Sequence, residues 1–398
     1  MKKILFIAPD SYPINGAESI VNTKLLAALS SSRQFQIDLI SKNSKTKDYA
    51  TDSLKDLGVE LNSLHIIEVD NKLSIRAIKG HIESLIKFGV VFKGSHWAVE
   101  ALKVAVNLCR SNKYDYVLTK NASAPLVGAY LQRKFGIKWV ATWNDPYPHF
   151  TYPPIYADFF HAKKNLISLR VIQIIRKADI HVFPNTYLRD HLLPYYNLDV
   201  NKTVIIPHIA AQSVDDKHKV ISGLRLIHSG NIAYPRDASV FLEGLKMFID
   251  KHPTVSIRFD ILGVCDKVTA DNVIRLKLDK YVRILPPVSY KQSLSVLKNY
   301  NIAVIIEAIL DKGIFLPTKV SDFMQEHMPI FAISPKMGVL KELYDKKYIN
   351  YFANNTSSED VYNSLCNILY DLENNSIVSS NIPVSYTPDE VVKVYSKL

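Results

Sequence analysis

Cysteine is nearly missing from this chain. Cys109, Cys265 and Cys366 are odd in number and far apart. They form neither a disulfide framework nor a metal-binding spacing, and they predict a reducing, cytoplasmic setting. Long apolar runs are missing too. Nothing approaches the ~18 residues of a membrane span. The opening run of "MKKILFIAPD" stops at Asp10, short of the ~7–15 apolar residues of a secretory core, so it reads as a first β-strand. The glycine-rich G-x-G-x-x-G fingerprint does not follow that strand, which argues against a nicotinamide cofactor. No zinc-finger or RNA-recognition motif is present, so no nucleic-acid partner is expected. No cluster of metal ligands stands out, and no metal is expected.

What is present is an ordinary globular composition. Of 398 residues, 47% are hydrophobic and 22% charged, enough for two domains. The net charge of +11 is uneven. Residues 1–200 hold 26 Lys or Arg against 17 Asp or Glu, and residues 201–398 hold 23 against 21. Two stretches of the first half concentrate the excess. "KLSIRAIKGHIESLIKFGVVFK" (72–93) has six basic residues, counting His81, and one acidic residue. "FFHAKKNLISLRVIQIIRKA" (159–178) has five Lys or Arg, not counting His161, and no acidic residue. Basic residues interleaved with Ile, Leu and Phe suit an anionic membrane surface; ordinary solvated helix faces are the plainer alternative.

Short Val/Ile/Leu-rich runs alternate with helical patterns along the chain, which predicts α/β architecture with parallel sheets wrapped by helices. The first set has strands at 3–9, 36–41, 65–69, 114–119, 138–143, 179–184 and 203–208. Helices are expected over 17–32, 96–111, 123–135 and 159–178. The polar stretch 210–223 reads as a linker. A second set follows, with strands at 224–230, 256–263, 281–287, 302–308 and 329–333. Helices 338–346 and 358–374 close it. The expected organisation is a first domain over 1–209, a second over 224–384, and a terminal segment 385–398 whose helix crosses back to the first domain. In such sheets ligands bind beyond the carboxyl ends of the strands, so the polar residues there are the candidates.

"FLPTKVSDFMQEHMPIFAI" (315–333) places Lys319 and Asp322 in the first turn of a helix opened by Pro317 and Thr318. Val320, Phe323 and Met324 take one face, and Lys319, Asp322 and Glu326 another. A cation beside free backbone N–H groups suits a phosphate, and a carboxylate one turn on suits sugar hydroxyls. An exposed ion pair worth ~0.3–0.5 kcal/mol is the alternative. After strand 224–230, "SGNIAYPRDAS" supplies Gly230, Asn231 and Arg236, with Asp237 as a helix cap. Arg236 suits bidentate contact with a diphosphate, or a surface role. Gly16, in "DSYPINGAES", lets backbone approach a ligand, or is a plain turn glycine. Asp145, in "NDPYPHF", suits an acceptor hydroxyl, or starts an Asp-Pro turn. His149 is a weaker candidate for that role. "LPPVSYKQ", around Val288, offers backbone groups to a base. His208 and His228, on buried strands, read as structural.

Taken in order, these stretches resemble the family-4-like retaining glycosyltransferases. "MKKILFIAPDSYPINGAES", "ADIHVFPNTYLRDHL" with "VIIPH", "LIHSGNIAYPRDASVFLEGL", "YVRILPPVSYKQSLSVLKNYNIAVIIEA" and "LPTKVSDFMQEHMPIFAI" cover nearly the whole chain. The resemblance implies the GT-B fold, two Rossmann-like domains facing across a cleft. It implies a nucleotide diphosphate sugar as donor, no cofactor and no metal. Gly230, Asn231, Arg236 and Lys319 would serve the diphosphate, Asp322 the ribose, Val288 the base, Gly16 the phosphate from the first domain, and Asp145 the acceptor. A lipid-linked or oligosaccharide acceptor of cell-surface polysaccharide synthesis is expected, on the cytoplasmic face of the inner membrane. A 2-epimerase or inverting transferase on the same fold, or a non-catalytic subunit, is the alternative. The chain departs from the pattern at Ile314, where many members carry the first of two glutamates.

Overall fold

The computed structural model describes residues 1–14, 16–43, 51–69, 74–120, 123–211 and 221–398. The chain divides into two compact units, Met1–Ile209 with Pro388–Leu398, and Ala210–Thr387. Residues 212–220 of the expected linker lie outside the described residues.

The first unit is built on seven strands: β1 (Lys2–Ile7), β2 (Phe35–Lys42), β3 (Ser63–Ile67), β4 (Tyr116–Lys120), β5 (Lys138–Thr142), β6 (Ile180–Phe183) and β7 (Thr203–Ile205). All pair in parallel, in the order β3-β2-β1-β4-β5-β6-β7. Helices connect them: α1 (Ala17–Ser31), α2 (Ile75–Phe88), α3 (Ser95–Ser111), α4 (Ala124–Phe135), α5 (Pro154–Phe159), α6 (Leu166–Ile175) and α7 (Thr186–Tyr196). Ile4, Leu5, Phe6 and Ile7 are all fully buried, which is why β1 reads as a continuous apolar run: it is covered on both faces. Trp97, Trp139 and Trp143 fill the core, and the Trp139 indole donates to Thr119 Oγ1 at 2.8 Å.

The second unit repeats the plan with β8 (Leu224–Ser229), β9 (Ile257–Leu262), β10 (Val282–Leu285), β11 (Ile302–Ile306), β12 (Ile330–Ser334) and β13 (Tyr351–Asn354). These six are parallel, in the order β10-β9-β8-β11-β12-β13. Its helices are α8 (Ser239–Lys251), α9 (Lys267–Arg275), α10 (Tyr290–Leu297), α11 (Thr318–Gln325), α12 (Val339–Asp345) and α13 (Ser358–Glu373). The last helix, α14 (Pro388–Lys397), belongs to the first unit. There Val391, Val392 and Tyr395 are buried, and Tyr116 donates its hydroxyl to the Tyr395 carbonyl at 3.3 Å. In each sheet the strand order reverses beside the first strand of the unit, between β1 and β4 and between β8 and β11. Those are the switch points at which doubly wound sheets bind ligands.

Three elements differ from the sequence expectation. The expected helix 159–178 shrinks to α6, because α5 ends at Phe159 and Asn165 starts a new helix: its side chain accepts from Ser168 N at 2.8 Å and Ser168 caps back, a capping box. The short strand β13 has no counterpart in the sequence expectation, its four residues, YFAN, being too few to announce a strand. Helix α11 begins at Thr318 with Pro317 in the cap position and no side-chain cap. Its polar face is not exposed, for Asp322 and Glu326 are buried along with Val320, Phe323 and Met324.

Candidate functional site

The carboxyl end of β8 runs directly into Gly230, whose φ of +124° is left-handed territory that favours glycine. A Cβ there would sit 2.9 Å from Lys319 Nζ. Behind it, Gly263 follows β9 at φ +151°, and a Cβ on Gly263 would collide with the Gly230 carbonyl at 2.6 Å. The loop that carries Arg236 is laced to the loop after β9. Asn231 Oδ1 accepts from Val264 N at 3.0 Å, Ile232 N donates to Val264 O at 2.9 Å, and Tyr234 N donates to Asp266 Oδ2 at 3.1 Å. Asp237 Oδ1 accepts from Ser239 N at 2.8 Å, where α8 starts.

Four ionisable side chains converge at the β8/β11 switch point. Lys319, from the first turn of α11, lies with Nζ 2.8 Å from His228 Nε2. His228 sits on β8 with Nδ1 3.1 Å from the Val304 carbonyl on β11. A carbonyl only accepts, so Nδ1 carries the proton and Nε2 offers its lone pair to the lysine. Burial, then the Lys319 and Arg236 charges, hold His228 well below the ordinary histidine range. Glu307, the residue after β11, forms an ion pair with Arg236, Nε to Oε1 3.5 Å. Its backbone is held by Asn355, whose Nδ2 donates to the Glu307 and Ala308 carbonyls at 3.2 and 2.8 Å.

Charge balance in this cluster is tight. Burial and the Arg236 charge push the Lys319 ammonium down to about 7, against the pull of Glu307 and Asp322. Burial raises the Glu307 carboxyl, opposed by Arg236 and Lys319. Asp322 lies one turn along α11 and accepts from the Tyr290 hydroxyl at 2.8 Å. Tyr290 opens α10, capped by Ser289, directly after Val288. Gly230, Asn231, Arg236, Lys319, Asp322 and Val288 are therefore neighbours around one strand-end region of the second unit.

The remaining sequence candidates are in the first unit. Gly16 is the N-cap of α1 in extended backbone, with nothing near where a side chain would be. Asp145 is exposed, past the end of β5. Its neighbour Asn144 donates to Glu18 Oε2 at 2.8 Å, and Glu18 lies in the field of Lys120, the buried last residue of β4. Burial raises the Glu18 carboxyl and lowers the Lys120 ammonium, each partly offset by the other.

Sequence reasoning missed Glu307 and placed His228 in the core alone. Both had a signal: a carboxylate immediately after "IAVII", and a histidine one residue before the end of a buried strand. Lys120, the last residue of β4, carried the same strand-end signal at the other switch point, and Glu18 lies in the first turn of α1.

Residues 54–209 match the model of Glycosyltransferase Family 4. No curated protein matches the sequence. Among solved structures, Anabaena Alr3699/HepE in complex with UDP and glucose superposes with a TM-score of 0.66 at 13% identity, over 100% of this chain and 99% of that one. The sucrose-phosphate synthase of Thermosynechococcus elongatus gives a TM-score of 0.62 at 14% identity, over 99% and 94%. The lipopolysaccharide outer core galactosyltransferase WaaB gives 0.57 at 14%, over 100% of both chains. The two-sheet plan shared along the whole chain with these structures shows the GT-B fold, and within it residues 54–209 match Glycosyltransferase Family 4.

Proposed function

We propose that the chain moves a sugar from a nucleotide diphosphate sugar to a hydroxyl acceptor with retention at the anomeric carbon, in the synthesis of a cell-surface polysaccharide. The observation that carries this reading is the convergence of Arg236 and Lys319 beside Gly230 at the β8/β11 switch point. Two half-buried cations there suit a diphosphate in charge. Breaking the bond from the anomeric carbon to the diphosphate oxygen leaves negative charge on that oxygen, and preorganised cations stabilise it as it forms. The acceptor oxygen takes its place on the carbon, and its proton leaves with the diphosphate or to solvent. Asp322 serves the nucleotide ribose, Val288 the base, and Gly16 and Asp145 of the first unit the phosphate and the acceptor. UDP complexes of Alr3699/HepE favour a uridine nucleotide as the first donor to try.

The cations take the part of a divalent ion, so transfer proceeds without added metal. The basic first half supports a lipid-linked acceptor at an anionic inner-membrane face; none of the described helices is long and apolar enough to cross a membrane.

The test is donor hydrolysis and transfer by purified protein in EDTA, with product stereochemistry read by NMR. Turnover with retention supports the reading. Complete dependence on Mg²⁺ or Mn²⁺ overturns the metal-free part, and inversion or 2-epimerisation overturns the reaction assigned. A second reading, a non-catalytic subunit, is favoured by Ile314, which is 2% exposed where many relatives hold a glutamate. Nucleotide binding without any turnover would select it.

A further inference from the structure

Helix α2 is amphipathic the wrong way round. Its inward face is small: Ala77, Gly80 and Ser84 are buried, with Phe88 at the end. Gly80 packs so closely on α3 that a Cβ there would fall 2.2 Å from the His96 ring, and Ser84 Oγ donates to the Val90 carbonyl at 2.6 Å. The outward face holds the large aliphatics. Ile75 is 88% exposed and Ile86 78%, and Ile78, Ile82 and Leu85 are each more than half exposed. At 100° per residue these five fall within one stripe, with Lys79 at its border and Arg76 and Lys87 beyond.

The stripe has a neighbour on the same unit. Arg170 of α6 lies against the C-cap of α2, its guanidinium 3.7 Å from where a Gly89 Cβ would be. At the start of α6, Leu166 and Ile167 are exposed, following Lys163 and Lys164. A solvated helix face does not carry five large aliphatics in one line, and a contiguous exposed apolar area marks an interaction surface. Its basic border selects the partner.

We infer that α2 lies in the headgroup region of an anionic bilayer, with Ile75, Ile78, Ile82, Leu85 and Ile86 inserted and Arg76, Lys79 and Lys87 on the lipid phosphates, joined by the start of α6. Aliphatics below and cations at the level of the headgroups are the two parts of interfacial binding. This deepens the membrane part of the function proposed above and is independent of the donor chemistry.

The experiment is flotation of the full chain with vesicles of phosphatidylcholine alone and of phosphatidylcholine with phosphatidylglycerol. It compares wild type with the triple variant I78E/I82E/L85E, all at exposed positions. A second variant, R76Q/K79Q/K87Q, separates charge from insertion. Wild type is expected to float with anionic vesicles only, and the glutamate variant to lose about tenfold or more of that binding. The glutamine variant is expected to weaken it and to reduce its salt dependence. UDP affinity and thermal unfolding, measured in parallel, are expected to be unchanged. Equal flotation of the glutamate variant overturns the proposal, as does wild type that fails to float. A wild-type dimer that the glutamate variant dissociates also overturns it, since the stripe is then a subunit interface. Loss of UDP binding by wild type bears on the transferase reading alone.

Discussion

Lys319 donates to the unprotonated Nε2 of His228, a neutral partner, across 2.8 Å. A half-buried ammonium held by a neutral ring keeps its charge available to an incoming anion. It is also easily neutralised: burial and Arg236 hold it at about 7. The affinity for a nucleotide diphosphate sugar, whose pyrophosphate does not titrate in this range, should therefore be full below that value and fall as pH rises through it. Bound anion raises the lysine pKa, which sets the upper end of the fall. Isothermal titration between about pH 6 and about pH 9 checks this. Lys319→Met should bind roughly 10–100-fold more weakly at low pH and lose the falling limb.

Glu307 favours the charged form of Lys319 and pairs with Arg236. Glu307→Gln keeps the shape and removes the charge, so the Lys319 ammonium is less stable. The falling limb of donor affinity should move to lower pH, with binding at the acid end nearly retained. A limb that stays where it is in wild type would detach Glu307 from this electrostatic role.

Asp322 accepts from the Tyr290 hydroxyl and lies one turn along α11 from Lys319. Asp322→Asn should weaken nucleotide binding by about 1.5–3 kcal/mol while leaving inorganic pyrophosphate affinity close to wild type. Equal losses for both ligands would place Asp322 on the phosphates instead. Competition titrations with UDP and pyrophosphate make the comparison.

Gly230→Ala forces a side chain into left-handed backbone and against Lys319 Nζ. The expected cost is about 1–3 kcal/mol of stability in the second unit, seen as a lowered melting transition, together with loss of UDP binding. Wild-type melting would mean that the loop relaxes freely.

The acid side of stability has a separate source. Burial of Asp38 alone would raise its carboxyl, but hydrogen bonds from Ser63, Tyr114 and Asn62, with Lys3, hold it below the ordinary value. A depressed carboxylate contributes stability that is present above the unfolded value of about 3.9 and is lost as pH falls through the folded one. Asp38→Asn should cost about 1–3 kcal/mol at neutral pH and flatten the acid limb of urea melts.

Much of this architecture was legible because parallel strands covered on both faces leave continuous apolar runs, as at "KILFI" and "IAVII". The strand-end logic then pointed to Gly230, Arg236 and Lys319. What it could not read was which side chains meet. Glu307 sits beside Arg236 because β8 and β11, paired at Leu226 with Ile302 and at Ile227 with Ala303, are sheet neighbours although far apart in sequence. The break at Asn165 and the four-residue β13 were hidden for local reasons. An asparagine inside an apolar-basic run does not declare itself a cap, and YFAN is too short to show a period.

Because Gly263 abuts the Gly230 carbonyl, and Ile232, Tyr234 and Asn231 are tied to residues 264 and 266, the arginine-bearing loop has no independent conformation. Anyone building chimaeras with relatives to change donor preference should transplant 229–238 and 262–266 as one block, since exchanging either alone mates a foreign backbone with a surface that has no room for it.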